Sequence, residues 1–180
     1  MELKTLNEIE IISAPHSKIS EVDFENLTFG NVFTDHMLVC DYVDGAWQKP
    51  VIEPYAPFMI DPSAKVFHYG QAIFEGMKAY KDQQDDVWLF RPDENFHRFN
   101  KSATRMAMPE VPEDIFLGGL HRLLEIEKEW VKKGKGNTLY IRPFMIATGH
   151  GVIAAPSQEY RFMIILSPAR AYYSGEVKVI

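Results

Sequence analysis

Cysteine is all but missing: Cys40 is alone among the 180 residues. No internal disulfide can form, and nothing marks an oxidising compartment. A solitary thiol can be a reactive group, but in an apolar run it reads as a small buried strand residue. Long hydrophobic runs are missing too. No segment reaches the roughly 18 consecutive apolar residues that a membrane helix requires. Clusters of Lys and Arg are absent against a formal net charge of −6, so nucleic acid and anionic membranes are poor partners. The first residues, Met-Glu-Leu-Lys-Thr-Leu, have neither the basic start nor the apolar centre of a secretion signal, which makes the cytoplasm the expected location.

Familiar catalytic signatures are equally scarce. His36, His68, His97, His121 and His150 show no tight zinc-ligand spacing with an acidic or cysteine companion, so no metal site is expected. There is no Gly-x-Ser-x-Gly elbow, no P-loop and no Gly-x-Gly-x-x-Gly fingerprint. Internal repeats and low-complexity tracts are also lacking.

What is present is an ordinary globular composition, 46% hydrophobic and 24% charged, sufficient for a single domain with a substantial core. Residues 1–35 read as irregular. Residues 37–42 read as a strand running into Asp44-Gly45, a favoured hairpin turn, with the return strand starting at Trp47 and Gln48. Pro50, Pro54 and Pro57 are expected to break pairing after that. A second hairpin is predicted from 77–81 and 87–91 around a polar tip. Residues 93–107 suit a helix with Asp93 as N-cap and Phe96, Phe99, Ala103 and Met106 facing the core. Residues 113–133 read as one helix with an apolar stripe, ended by Gly134. Strands follow at 138–148 and 160–166. The irregular alternation of helix with hairpins predicts an α+β fold.

Three groups of residues carry possible chemistry. Tyr140 and Arg142, two apart on a predicted strand, share a face; a guanidinium fork beside a phenol makes an anion receptor, or simply a strand arginine packed on an aromatic ring. Arg98, in the middle of a predicted helix, could bind a phosphate or cover surface with its methylenes, and Arg105 reads as structural. Tyr69, Phe74 and Tyr80, punctuated by Gly70 and Gly76, could line a pocket or fill a core.

Several strings narrow these choices. Residues 67–80 read Phe-His-Tyr-Gly-Gln-Ala-Ile-Phe-Glu-Gly-Met-Lys-Ala-Tyr. Downstream come Leu89-Phe90-Arg91-Pro92 before Asn95, Arg98 and Arg105, then Leu139-Tyr140-Ile141-Arg142-Pro143. Upstream stands Phe29-Gly30-Asn31-Val32-Phe33-Thr34-Asp35-His36-Met37, and Ser167-Pro168 precedes Tyr172-Tyr173. Together they resemble the small N-terminal domain of the branched-chain amino-acid aminotransferases, pyridoxal phosphate enzymes of fold type IV. D-amino-acid aminotransferases and aminodeoxychorismate lyases share the layout but match these strings less well.

The resemblance implies a mainly antiparallel sheet with two principal helices. It makes 1–35 an N-terminal segment of the small domain at 36–167, 168–175 an interdomain linker and 176–180 the start of a second domain. It gives Arg98 the cofactor phosphate, and gives Phe29, Tyr69, Phe74, Tyr140, Arg142 and Tyr172 to the substrate. An aromatic-walled pocket suits a branched side chain with no hydrogen-bonding group. The whole enzyme, usually a homodimer, would pass the amino group of leucine, isoleucine or valine to 2-oxoglutarate. In that family the cofactor lysine lies in the second domain, and no lysine here sits in its glycine-rich context. Residues 1–180 alone are therefore expected to be inactive, and a non-catalytic binding or dimerisation module on the same scaffold is the competing expectation.

Overall fold

The computed structural model describes residues 9–170, whose hydrophobic periodicities resolve into a nine-stranded sheet with the two longer helices packed on one face. In chain order the elements are β1 (Glu10–Ile11), β2 (His36–Val43), β3 (Ala46–Trp47), β4 (Val51–Pro54), α1 (Lys65–Tyr69), β5 (Ala72–Phe74), β6 (Met77–Lys81), β7 (Val87–Leu89) and α2 (Pro92–Arg105). Then come a π-helical turn at Asp114–Gly118, α3 (Gly119–Ile126), a 3₁₀ turn at Lys128–Trp130, β8 (Thr138–Ala147) and β9 (Tyr160–Ala169). The sheet runs β1-β4-β2-β9-β8-β6-β7, with β3 added to β2 and β5 added to β8. Every pairing is antiparallel except β1 with β4. This is the α+β architecture expected.

β8 shows why the sheet has two unlike faces. Its residues alternate buried and half-buried: Leu139, Ile141 and Met145 are sealed, while Tyr140, Arg142, Phe144 and Ile146 are partly open. The sealed set meets Phe96 and Phe99 of α2, Phe116 of the π turn, and Leu120, Leu123 and Leu124 of α3 in one core. At its centre the rings of Phe99, Phe116 and Phe162 lie 5.3–5.5 Å apart. The open set belongs to the opposite face, which carries a small cluster around Met37, Val39 and Met163. Cys40, on β2, is buried in the main core as expected. Its thiol donates to Gln48 O at 3.1 Å, and burial pushes its pKa up to about 12, which excludes a reactive thiolate.

Both hairpins form, and the tip at Asp44-Gly45 has positive φ at each residue, 54° and 78°. That twist matches the flanking strands. Other boundaries moved. α2 starts at Pro92 and not after Asp93, because proline, with no N–H and a fixed φ, is well placed in a first turn. Met106, beyond the end of that helix, is 38% exposed and outside the core. Val51–Pro54 is a paired strand after all, since its proline sits at its end. Glu10–Ile11 pairs with it, so the first segment is not wholly irregular. β9 continues through Pro168 and Ala169, residues expected to open the linker.

The predicted single helix at 113–133 is instead three pieces. A Cβ on Gly119 would lie 2.9 Å from Leu38 Cδ2, so this stretch is pressed hard against β2. Beyond α3 the chain turns inward to satisfy a buried polar knot. The ring nitrogen Nε2 of His36 accepts from Ala14 N–H at 2.8 Å, which leaves the ring proton on Nδ1, facing the buried carboxylate of Glu127. Burial pushes Glu127 up, against the pull of His36. Asp35 accepts from Lys18 N–H, the Ser17 hydroxyl and Trp130 Nε1–H. Burial would raise its carboxyl, but those donors win and hold it below the ordinary value.

The knot fastens residues 14–18 to the core. A carboxylate whose folded pKa is depressed stabilises above its unfolded pKa, and that contribution fades as pH falls. Asp35→Asn should therefore lower stability by about 1–3 kcal/mol at pH 7, with the difference from the parent shrinking below about pH 4. Urea denaturation across that range checks it; a constant difference at every pH would contradict the carboxylate's role.

Candidate active site

Arg142 and Tyr140 leave β8 on the open face, and the Arg142 Nε–H donates to the Tyr140 hydroxyl at 3.1 Å. The Arg142 guanidinium also lies 4.2 Å from the ring centroid of Phe74. Phe74 stands opposite Phe144 in the β5–β8 pairing and is 63% exposed. Phe29 meets the Tyr140 ring edge-on at 5.0 Å. Four of the six residues expected to contact substrate thus form one patch: a guanidinium and a phenol among aromatic walls. Lys78 lies opposite Tyr140 on β6 and adds a cation to the same face, which the sequence reading passed over. Ser167 lies opposite Tyr140 on β9; its buried hydroxyl has no hydrogen-bond partner among the described residues.

Tyr69 is placed differently. It ends α1, and its hydroxyl donates to Val152 O. The buried Lys65 supports the same loop, its ammonium donating to Ile153 O at 2.7 Å and Ala155 O at 2.8 Å. These contacts hold the loop while leaving the side chains of Val152 and Ile153 in solvent. No ring contact joins Tyr69 to Phe74 or Tyr140 among the described residues. Tyr172 lies outside the described residues.

Arg98 projects from α2 with its side chain 67% exposed. Its Nε and Nη2 edge is held by Glu75: Nε–H donates to Oε1, and Nη2–H to Oε2 at 2.7 Å. Glu75 is 5% exposed and accepts further bonds from Asn95 Nδ2–H at 3.0 Å and Gly76 N–H at 3.2 Å. Burial alone would raise its carboxyl; Arg98, Asn95 and the Gly76 N–H overcome that and keep it low, hence ionised. Two cavities, of about 500 and 930 Å³, flank Arg98 and share Lys101 with it.

The arrangement around Glu75 follows from Pro143. Proline in a central strand is unusual because it deletes a ladder hydrogen bond. Phe74 pairs with Phe144 and Met77 with Ile141, so β5 and β6 are one strand line in constant register, interrupted where Pro143 has no N–H to give. Glu75 N–H still donates to Pro143 O at 2.8 Å. Strand alternation carried through the break puts Glu75 with Ile73 and Met77 on the helix side, and Gly76 on the side of Tyr140 and Arg142. Arg98 and the Tyr140–Arg142 pair thus reach the same two-residue joint from the two sides of the sheet. The cavities beside Arg98 are lined by α2 and its neighbours, and neither includes Tyr140 or Arg142.

Glu75 was not singled out from the sequence. The signal was there: one acidic residue inside an apolar, aromatic run, and a proline in the middle of the strand that pairs with it.

The chain as a whole has relatives among known proteins. No protein-family model matches the chain. Branched-chain-amino-acid transaminase 1 of Bacillus subtilis (strain 168) is 52% identical over 155 residues, 86% of this chain and 44% of that protein. The chain belongs to the branched-chain aminotransferase family. It spans under half the length of the curated relatives it matches. Among solved structures, the branched-chain aminotransferase of Thermoproteus uzoniensis with norvaline aligns over 74% of this chain and 41% of its own, at 19% identity and a TM-score of 0.54. The branched-chain amino acid aminotransferase of Escherichia coli aligns over 74% and 40%, at 20% identity and a TM-score of 0.50. These two establish the fold.

The tight joint makes one more expectation. A Cβ at Gly76 would lie 2.6 Å from the Tyr140 hydroxyl oxygen, so no side chain fits there while Tyr140 keeps its place. Gly76→Ala should cost about 1–3 kcal/mol. Combining it with Tyr140→Phe, which removes the clashing atom, should recover part of that loss in chemical denaturation. Strict additivity of the two changes would show that Tyr140 is not what Gly76 makes room for.

Proposed function

We propose that residues 1–180 form the small-domain wall of the active site in a pyridoxal phosphate-dependent branched-chain amino-acid aminotransferase, passing amino groups from leucine, isoleucine or valine to 2-oxoglutarate in the cytoplasm as a homodimer. The observation that carries this is the patch itself: the guanidinium of Arg142, bonded to Tyr140 and laid on Phe74, one joint away from Arg98. Family relationship supports it at 52% identity. Lining this joint with aromatic and cationic groups meets two needs at once, an apolar wall for a branched side chain and a fork for a carboxylate.

The residues present fit the cofactor. Arg98 gives its Nε and Nη2 edge to Glu75, which leaves the Nη1 and Nη2 edge of a planar fork directed outward beside two cavities. Arg98 would hold the phosphate. When bound, pyridoxal phosphate supplies the electron-withdrawing ring that makes the substrate α-proton labile. Arg142 and Tyr140 would fix a substrate carboxylate, Lys78 would add to the positive potential there, and Phe29 and Phe74 would exclude water from the side chain. In this reading Tyr69 and Tyr172 complete the substrate pocket, and the lysine that moves the proton belongs to a second domain after a linker at 168–175.

In the full-length enzyme, Arg98→Ala should weaken cofactor retention by about thirtyfold, as for loss of a charge-assisted contact. Arg142→Met should raise the KM for the amino acid more than it lowers kcat. Cofactor affinity unchanged in the first, or KM unchanged in the second, would remove that residue from the site. Residues 1–180 alone, given leucine, 2-oxoglutarate and pyridoxal phosphate, should show no turnover; robust transamination would refute the division of labour.

A further inference from the structure

The roles proposed for Arg98, Tyr140 and Arg142 leave the most deeply engaged charge at this joint unused. Glu75 is a buried carboxylate in an aromatic run, and four donors converge on it: Arg98 Nε–H and Nη2–H, Asn95 Nδ2–H and Gly76 N–H. Its own N–H is fixed to Pro143 O. We propose that Glu75 is a positioning residue for the cofactor phosphate: it grips one edge of the Arg98 guanidinium so that the other edge faces the phosphate, and it registers that edge to the strand carrying Tyr140 and Arg142.

Geometry supports the division of the guanidinium. Nε and Nη2 lie along one side of the planar group, and both are bonded to Glu75. The remaining edge, Nη1 with the second Nη2 hydrogen, is a complete two-pronged donor. Asn95, one helical turn before Arg98 and bonded to the same carboxylate, fixes Glu75 from the N-terminal side. The anchor is not local to α2. Through the Glu75 N–H it reaches Pro143, between Arg142 and Phe144, so the phosphate contact and the carboxylate contact refer to one piece of backbone.

A carboxylate beside Arg98 also offsets its charge and repels phosphate. Arg98 is 67% exposed, however, so that repulsion acts largely through water and is screened. The same exposure means that, ungripped, a long arginine side chain would sample many rotamers, and fixing it on binding is unfavourable. Orientation therefore outweighs charge, and removing the carboxylate should weaken phosphate binding despite making the site more positive. The proposal rests on Arg98 being the phosphate ligand.

The test compares two ligands differing only in the phosphate, pyridoxal 5'-phosphate and pyridoxal, by equilibrium dialysis against the full-length protein. In Glu75→Gln the ratio of the two affinities should fall about tenfold, as for loss of a group that orients a ligand-binding side chain, with pyridoxal affinity unchanged. Arg98→Ala should lower the ratio as well, and adding Glu75→Gln to it should change nothing more. Glu75→Asp keeps the charge but retracts the carboxylate by one methylene; it should lower the ratio too, and it stands in if Glu75→Gln does not fold. A ratio that stays level or rises in the Glu75 variants, while Arg98→Ala lowers it, overturns the positioning role and leaves the phosphate assignment intact. Equal weakening of both ligands overturns it in favour of a general structural role. A ratio unmoved by Arg98→Ala overturns both.

Discussion

Everything at this site depends on the register of one strand. β8 sends Leu139, Ile141, Met145 and Ala147 into the core and Tyr140, Arg142, Phe144 and Ile146 to the open face. With a side-chain period of two, a slip of one residue would bury the guanidinium and expose the core set. Such a slip is opposed by the whole helix layer, because Phe99, Phe116 and Phe162 interlock on the other side of the sheet. The hydrophobic core is thus what aims the polar site. Pro143 adds a second constraint by interrupting the partner strand beside Arg142, opening room for Glu75 and Gly76 to depart from simple pairing.

The joint they form needs only two residues. Gly76 contributes an absence, the missing Cβ that lets the Tyr140 hydroxyl approach its backbone. Glu75 contributes a charge that would be unfavourable in this buried position were it not for its donors; with them it remains ionised and ordered. Two neighbouring residues thereby connect a helix on one side of the sheet with a strand face on the other. The knot at Asp35, His36 and Glu127 does similar work elsewhere, tying residues 14–18 to the end of α3.

Much of this was legible in the chain, for reasons that differ by element. The hairpin at Asp44-Gly45 was readable because its turn needs positive φ at both residues and few pairs tolerate that. β8 was readable because Tyr140 and Arg142 sit at strand spacing within an apolar run. The stretch 113–133 was misread as one helix because its apolar stripe is genuine while its interruption is tertiary: Glu127 and Trp130 turn inward to partners at 35 and 36, about ninety positions away. Local propensity carries no information about such partners. Of the site, Phe29, Phe74, Tyr140 and Arg142 assemble as one patch, whereas Tyr69 is engaged with the loop at Val152.

Glu75 shows where one-dimensional reading stops. Its type was visible, but its meaning required knowing that Pro143 lies opposite and that Arg98 is one helix away. Neither pairing has a sequence period; both are set by the constant register on either side of the break. The misreading of Val51–Pro54 has the same origin. Inside a strand a proline breaks the ladder, yet at a strand end it only withdraws one donor. In β4 that loss has no consequence. In β8 it falls opposite Glu75, and the missing hydrogen bond becomes the place where Arg98 and the Tyr140–Arg142 pair are brought into register.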